Sequence, residues 1–189
     1  MTLVEVVVTA VMVAIFFSGV FEVSAVCLRY ISSSKENISA IETVQDRIEQ
    51  LRGTDFTSLL DPTYMSVAPA TPAASPSPSP QQRRNLTVPP NASTLAQQGT
   101  ETVKISTYSA GAATTPSVTY TRAAGAIFNA ATNFSDTNVT PTASWSGGAS
   151  FPATTTTVQV DVTYTWNARF GQRSRTETSS TILSAGTKK

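Results

Sequence analysis

The sequence has no histidine, a single cysteine and few charged residues, which make up 13% of the chain. The absence of histidine removes the side chain that serves most often as a general base and as a metal ligand. Since Cys27 is the only cysteine, no disulfide can form within the chain. The formal net charge of +1 gives no reason to expect binding to nucleic acid or to an acidic substrate. We therefore expect no catalytic site, no metal site and no cofactor, and the chain is not predicted to be an enzyme.

Large apolar residues are also scarce over most of the chain. Hydrophobic residues make up 40% of the 189 residues, but many of them lie in the first 28. From Gly53 onward the sequence is rich in Ser, Thr, Ala and Pro. A segment of this composition can bury one modest core, so we expect a single sheet packed on a helix.

Residues 1–28 contain the one long apolar run and are interpreted as a hydrophobic half-helix. An α-helix over residues 3–28 is about 40 Å long, which is enough to span a bilayer. Glu5 lies near its start, and a carboxylate at mid-bilayer depth costs about 2.5–3.5 kcal/mol. The Glu5 carboxylate is therefore expected either to remain hydrated at the membrane–water interface or to pair with a cationic group. Because no basic region and cleavage site precede the run, we expect either a signal-anchor or a chain whose leader has been removed.

An amphipathic pattern takes over in residues 29–52. Its apolar residues recur at steps of three and four, which places them in one stripe of a helix: Ile41, Val44, Ile48 and Leu51. Arg47 and the neighbouring charged residues are assigned to the exposed surface. Arg52 followed by Gly53 is typical of a helix C-terminus, with Gly53 suited to a left-handed cap. The sequence thus predicts one helix from about Thr2 to Arg52, which is an amphipathic half-helix after residue 28.

Residues 53–100 are predicted to be a loop region rich in Pro, Ser and Thr. Residues 66–98 hold seven of the eleven prolines of the chain. Such a segment cannot supply the hydrogen bonds of a strand and has almost nothing to bury, so we expect an extended, polyproline-like excursion. Its hydroxyls are candidate sites for O-linked sugars, the alternative being a bare flexible loop: Thr71, Ser75, Ser77 and Ser79.

Residues 101–189 are predicted to form an antiparallel β region. The clearest strand is Thr157–Trp166, where apolar and polar residues alternate strictly and predict one buried face. Asn167–Gln172 contains Gly171 and is typical of a hairpin loop. Between the strands, Ala123–Ser150 is expected to be irregular. The other predicted strands are Thr102–Ser109, Ser117–Arg122 and Arg173–Leu183. The predicted fold class is α+β, with one long N-terminal helix packed on a C-terminal antiparallel sheet.

The first fifteen residues, MTLVEVVVTAVMVAI, resemble the mature N-terminus of type IV pilins and pseudopilins. The motif of that family is a hydrophobic first residue, a small polar second residue, Leu, an aliphatic residue, Glu, and then about twenty apolar residues. The resemblance extends over residues 1–52 and implies a type IV pilin-like fold. It also implies cleavage by a prepilin peptidase just before Met1 and N-methylation of the Met1 amine.

The resemblance further implies how subunits would assemble. Met1, Thr2, Leu3, Val4 and Glu5 would form the assembly contact, in which Glu5 pairs with the N-terminal amine of a neighbouring subunit. Such a buried pair contributes little net stability but penalises wrong registers, because a misplaced subunit leaves a charge unpaired. The side chains expected in the filament core are Val8, Val11, Met12, Ile15, Phe16 and Val20.

Three features depart from the usual pilin pattern. Position 1 is Met1, where Phe is most usual. Glu22 stands where many major pilins have a proline, which leaves open whether the helix melts near Gly19. The chain also lacks the C-terminal cysteine pair of many pilins, so the last hairpin must be held by packing, with Tyr164 and Trp166 expected against the apolar stripe of the helix.

The sequence therefore favours a structural subunit of a type IV pilus-like filament, with no nucleic acid as a partner. Its expected partners are identical subunits, the inner membrane before assembly, the prepilin peptidase and the pilus assembly machinery. Its expected location is an extracellular filament at a bacterial surface, fed by a precursor pool in the inner membrane. The alternatives are a pseudopilin of a type II secretion system, a minor pilin, or a monomeric membrane-anchored adhesion domain.

Overall fold

The computed structural model describes residues 2–62, 65, 99–124, 142–168 and 173–186. They form two helices and five strands: α1 Leu3–Gly53, α2 Phe56–Leu60, β1 Thr100–Ser109, β2 Ala112–Arg122, β3 Thr142–Ser146, β4 Thr157–Asn167 and β5 Ser174–Ser184. The strands make one antiparallel sheet in the order β3-β2-β1-β4-β5. Helix α1 contacts β4 and β5. The α+β layout of one long N-terminal helix and an antiparallel sheet is confirmed.

Helix α1 is continuous from its apolar half into its amphipathic half. No proline interrupts residues 2–53, so the backbone hydrogen bonds run unbroken through Gly19 and Glu22 over about 77 Å. The expected left-handed cap at Gly53 is wrong, because Gly53 is the last helical residue and has no positive φ. Instead Thr54 is extended, and its hydroxyl donates to the Gln50 carbonyl oxygen at 3.0 Å. This bond satisfies a carbonyl that the end of the helix leaves without an intrahelical partner.

The hydrophobic core lies between the amphipathic half of α1 and the inner face of the sheet. The alternation predicted for β4 is confirmed, with its apolar side chains buried against α1: Val158, Val160, Val162, Tyr164 and Trp166. The register places Val160 opposite Ile105 and Val162 opposite Val103 of β1, so both strands contribute to the same layer. The hairpin that joins β4 to β5 is also confirmed, because the Ala168 N–H donates to the Arg173 carbonyl at 2.9 Å.

The buried stripe of α1 differs by one position from the predicted stripe. Val44, Ile48 and Leu51 are buried as expected, but Ile41 is 40% exposed and Ala40 is fully buried in its place. The small side chain of Ala40 lets the helix backbone approach the sheet. The same rotation turns Arg47 inward, where it is only 7% exposed, so its assignment to the surface is wrong.

Two short elements lie where the sequence predicts irregular chain. Strand β3 pairs with β2 inside the segment Ala123–Ser150, and Trp145 packs against Phe151 with ring centroids 5.0 Å apart. Helix α2 lies in the predicted loop after Gly53, and the Asp55 side chain caps it by accepting from the Thr57 N–H at 3.2 Å. The proline-rich segment 66–98 and the tip of the last hairpin at 169–172 lie outside the described residues.

A buried ion cluster joins α1 to the sheet. Arg47 of α1 donates two hydrogen bonds to Glu101 of β1, from Nε to Oε1 at 2.5 Å and from Nη2 to Oε2 at 2.9 Å. Arg122 of β2, directly opposite Glu101 in the register, donates from Nε to Oε2 at 3.1 Å. Exposure of the three side chains is 8% or less. We call these three residues the Arg47–Glu101–Arg122 cluster.

The cluster determines how α1 sits on the sheet. Burial by itself raises the pKa of Glu101, but the charges and hydrogen bonds of Arg47 and Arg122 outweigh burial and hold this pKa below its ordinary value of 4.5. Desolvation offsets most of the attraction in such a cluster, so it adds little net stability compared with apolar packing. An arrangement that separates the charges is nevertheless strongly penalised. The cluster therefore fixes the rotation and the axial position of α1.

We predict that Glu101→Gln lowers the free energy of unfolding by about 3–5 kcal/mol, because it removes the carboxylate that both buried arginines bind. The lowered native pKa means that Glu101 contributes fully above about pH 4.5 and that its contribution is lost as the pH falls through the native pKa. Stability of the wild type should therefore fall below pH 4.5, and stability of Glu101→Gln should fall less steeply. Denaturant titration of the full chain in detergent, followed by tryptophan fluorescence, measures both quantities.

Glu49→Gln is the matched control for this experiment. Glu49 pairs with Arg52 at 2.9 Å on the outside of the same helix, where the Glu49 side chain is 70% exposed. An exposed pair of this kind contributes about 0.2–1 kcal/mol at most. If Glu101→Gln cost no more than Glu49→Gln, the cluster would not hold the helix on the sheet.

Candidate functional site

The candidate site is the apolar half-helix, residues 3–28 of α1, which has no cover in the described part of the chain. Every residue in this range is exposed. Leu3 is 82% exposed, Phe16 is 68% exposed and Phe21 is 70% exposed. A helix that is apolar on all sides is normally buried in protein or in lipid. An exposed apolar surface of this extent marks an interaction site.

The apolar half-helix projects from the domain because only the amphipathic half of α1 carries contacts to the sheet. The first buried residue of the helix is Ala40, so residues 3–39 extend roughly 55 Å beyond the core. Arg175 of β5 donates to the Asn37 side-chain oxygen at 2.8 Å, which ties the helix to the sheet edge just before it leaves the domain. With the Arg47–Glu101–Arg122 cluster, this contact sets the direction in which the apolar half-helix points.

Helix α1 is long and apolar enough to cross a membrane. Its most apolar stretch has a mean hydropathy of 2.4 and none of that stretch is buried. A signal sequence near an N-terminus meets the same criteria, so length and composition establish only the capacity to span a bilayer.

The polar side chains within the apolar half-helix divide into two kinds. The Thr9 hydroxyl donates to the Glu5 carbonyl at 2.7 Å, and the Ser24 hydroxyl donates to the Val20 carbonyl at 2.9 Å. These bonds within the helix make both hydroxyls compatible with an apolar environment. The side chains of Glu5 and Glu22, by contrast, form no ion pair with any residue that the structure describes. The charges of both carboxylates are therefore not matched by any of the described residues.

The predicted assembly residues lie at the free end of α1. Thr2 is the N-cap residue, and its carbonyl accepts from the Glu5 N–H at 3.0 Å. Leu3, Val4 and Glu5 form the exposed first turn. The predicted filament-core side chains are exposed along one side of the helix, at spacings of three and four: Val8, Val11, Met12, Ile15, Phe16 and Val20. Met1 and the proposed glycan acceptors Thr71, Ser75, Ser77 and Ser79 lie outside the described residues.

Sequence reasoning missed the cluster that orients this helix. A usable signal was present in the strands, because Glu101 is spaced at steps of two from Val103 and Ile105. Arg122 is likewise spaced at steps of two from Tyr120 and Val118. That alternation places both charged residues on the buried face of the sheet.

Other chemistry is not evident in the described ranges. Across residues 2–62, 65, 99–124, 142–168 and 173–186, no three metal-ligating side chains lie together. Comparisons of the chain with known protein families, with curated proteins and with solved structures found no match.

We predict that Ile15→Asp reduces the fraction of the full chain retained in cell membranes after an alkaline wash. An aspartate in the middle of the apolar half-helix adds about 2.5–3.5 kcal/mol to the cost of insertion. Ile38→Asp is the matched control, since Ile38 is 55% exposed on the same helix but lies beyond the apolar half-helix. Equal retention of Ile15→Asp and the wild type would contradict burial of this segment in lipid.

Proposed function

We propose that the chain is a structural subunit of a type IV pilus-like filament. The observation that carries the proposal is the apolar half-helix, which is exposed on all sides and has in its first turn a carboxylate, Glu5, that forms no ion pair with the described residues. The resemblance of residues 1–52 to mature type IV pilins supports the same proposal. A second support is the attachment of α1 to the sheet through the Arg47–Glu101–Arg122 cluster, because a filament subunit must hold its globular domain at a fixed angle to its apolar half-helix.

The apolar half-helix lies first in the membrane and then in the core of the filament. Before assembly it anchors the subunit in the inner membrane, with the sheet domain outside the bilayer. During assembly it leaves the lipid and packs against the same segment of neighbouring subunits. Because lipid tails are as apolar as these side chains, the move gains nothing from the hydrophobic effect, and close van der Waals packing between helices replaces the lipid contacts.

Glu5 specifies the axial register of the filament. Inside a bundle of apolar helices there is neither lipid headgroup nor water, so its carboxylate needs a cation. The N-terminal amine of a neighbour's Met1 supplies that cation, with Thr2 beside it. The pair adds little net affinity because both charges lose their water, but a subunit placed one turn away leaves two buried charges unpaired. Affinity comes from the apolar side chains and register comes from Glu5.

The proposal implies a definite route through the cell. A prepilin peptidase cleaves before Met1, the new amine is methylated, and the assembly machinery extracts the subunit into a filament at the bacterial surface. A pseudopilin of a type II secretion system or a minor pilin would use the same helix and the same Glu5 contact. A monomeric membrane-anchored adhesion domain would instead keep the Glu5 carboxylate hydrated at the membrane interface and would not pair it with a neighbouring amine.

We predict that Glu5→Val leaves membrane retention unchanged or increased but lowers the yield of filaments at least about tenfold. The valine removes the insertion cost of a carboxylate, yet it leaves the neighbour's amine unpaired in the filament core, a defect of several kcal/mol. The measurement compares the membrane fraction with the sheared filament fraction of cells that express the assembly machinery.

Glu42→Val controls for the loss of an acidic side chain on the same helix, because Glu42 is exposed in the amphipathic half. Its filament yield should match that of the wild type. Normal filaments from Glu5→Val would remove the role assigned to Glu5.

A further inference from the structure

The face of the sheet turned away from α1 carries a groove of about 580 Å³. Its polar lining consists of one ammonium group and a set of hydroxyls: Lys104, Ser106, Thr114, Thr115, Ser117, Thr119 and Ser146. The volume falls within the range of small-molecule binding sites. The groove lies on the opposite side of the sheet from the residues that orient α1.

Strand alternation explains why these side chains share one face. In β1, Val103 and Ile105 point to the buried core, so Lys104 and Ser106 between them point to the other side. The register then places Ser117 of β2 opposite Ser106, and Ser146 of β3 opposite Ser117. Three adjacent strands thus present hydroxyls in a row across the groove.

Ser106 is the unusual member of this row. It is 1% exposed, and its hydroxyl has no hydrogen-bond partner among the described residues. Elsewhere on the same face hydroxyls pair with one another, as Thr163 does with Thr178 at 3.1 Å. A buried hydroxyl without a partner is unfavourable, so a ligand that supplies one gains affinity.

Lys104 is the charged member of the groove. Asp161 of β4 is directly opposite Lys104 in the register, and its Oδ1 accepts hydrogen bonds from Gln159 at 2.7 Å and from Ser180 at 2.6 Å. Lys104 itself forms no ion pair with any residue in the described ranges. No acidic side chain is among the groove-lining residues. Lys104 is therefore the one charged side chain among the groove-lining residues, and its ammonium can pair with an anionic group in the groove.

We propose that this groove binds an acidic saccharide. The carboxylate of the sugar pairs with Lys104, and the sugar hydroxyls exchange hydrogen bonds with Ser106 and Ser117. The groove is much larger than a bare oxyanion needs, and its row of hydroxyls suits a ligand that carries several hydroxyl groups of its own. The proposal is independent of filament assembly, because it uses no residue of α1.

Isothermal titration calorimetry on the full chain in detergent tests the proposal with four probes: glucuronate, glucose, inorganic phosphate and a hyaluronan tetrasaccharide. Glucuronate should bind more tightly than glucose or phosphate. Lys104→Gln should weaken that binding at least about tenfold, because it removes a charge-assisted hydrogen bond. Ser106→Ala should weaken it about fivefold without loss of stability, because the hydroxyl has no partner in the unliganded chain. Lys35→Gln, a change of an exposed lysine on α1, should bind like the wild type.

The probes also distinguish the source of the sugar. Tighter binding of the tetrasaccharide supports an acidic residue within a polysaccharide, and tighter binding of glucuronate supports a free sugar acid. Phosphate that binds as tightly as glucuronate would overturn the proposal in favour of a simple anion site. Absence of saccharide binding, or binding that Lys104→Gln leaves unchanged, would also overturn it.

Discussion

The apolar half-helix cannot be covered by the described part of its own chain, and the rest of the structure is arranged around that constraint. The inner face of the sheet is already filled by the amphipathic half of α1, with Val44, Ile48 and Leu51 in the core. Residues 3–28 therefore have no remaining apolar surface of the sheet to pack against. The hydrophobic effect then requires a second environment, which is lipid for an isolated subunit and other copies of the helix in the proposed filament.

Two charged groups on the same helix act at different levels of organisation. Arg47 lies in the buried cluster and fixes the helix relative to its own sheet. Glu5 lies about 63 Å away along the helix and, in the proposed filament, fixes it relative to a neighbouring subunit. In both places a charge adds little stability but makes alternative arrangements costly. In the proposed filament, the continuous helix connects Glu5 rigidly to the cluster. The axial register of the apolar half-helices therefore determines where each sheet domain lies on the filament surface.

The strongly periodic elements were predictable from the sequence, and the contacts that orient them were not. The helix and β4 follow from their apolar patterns, so their bounds were predicted to within a residue or two. Arg47 was predicted to lie on the surface because its partner, Glu101, is 54 residues away in the sequence. The periodicity of the helix alone does not reveal a contact over that separation. The error at Ile41 has the same origin, since the rotation of α1 brings Arg47 inward and Ile41 outward. Strand β3 has one large side chain in five residues, which is too little for an alternation to be recognised. The proposed pairing of Glu5 would join two chains, so a single chain cannot display it.

The most direct test of the account is electron microscopy of material sheared from the surface of cells that produce this protein. We expect fibres built from this chain, whose reconstructed density has a central bundle of α-helices formed by residues 3–28, with the sheet domains on the outside. Recovery of the protein only as a membrane-bound monomer, or fibres in which these helices do not form the core, would contradict it.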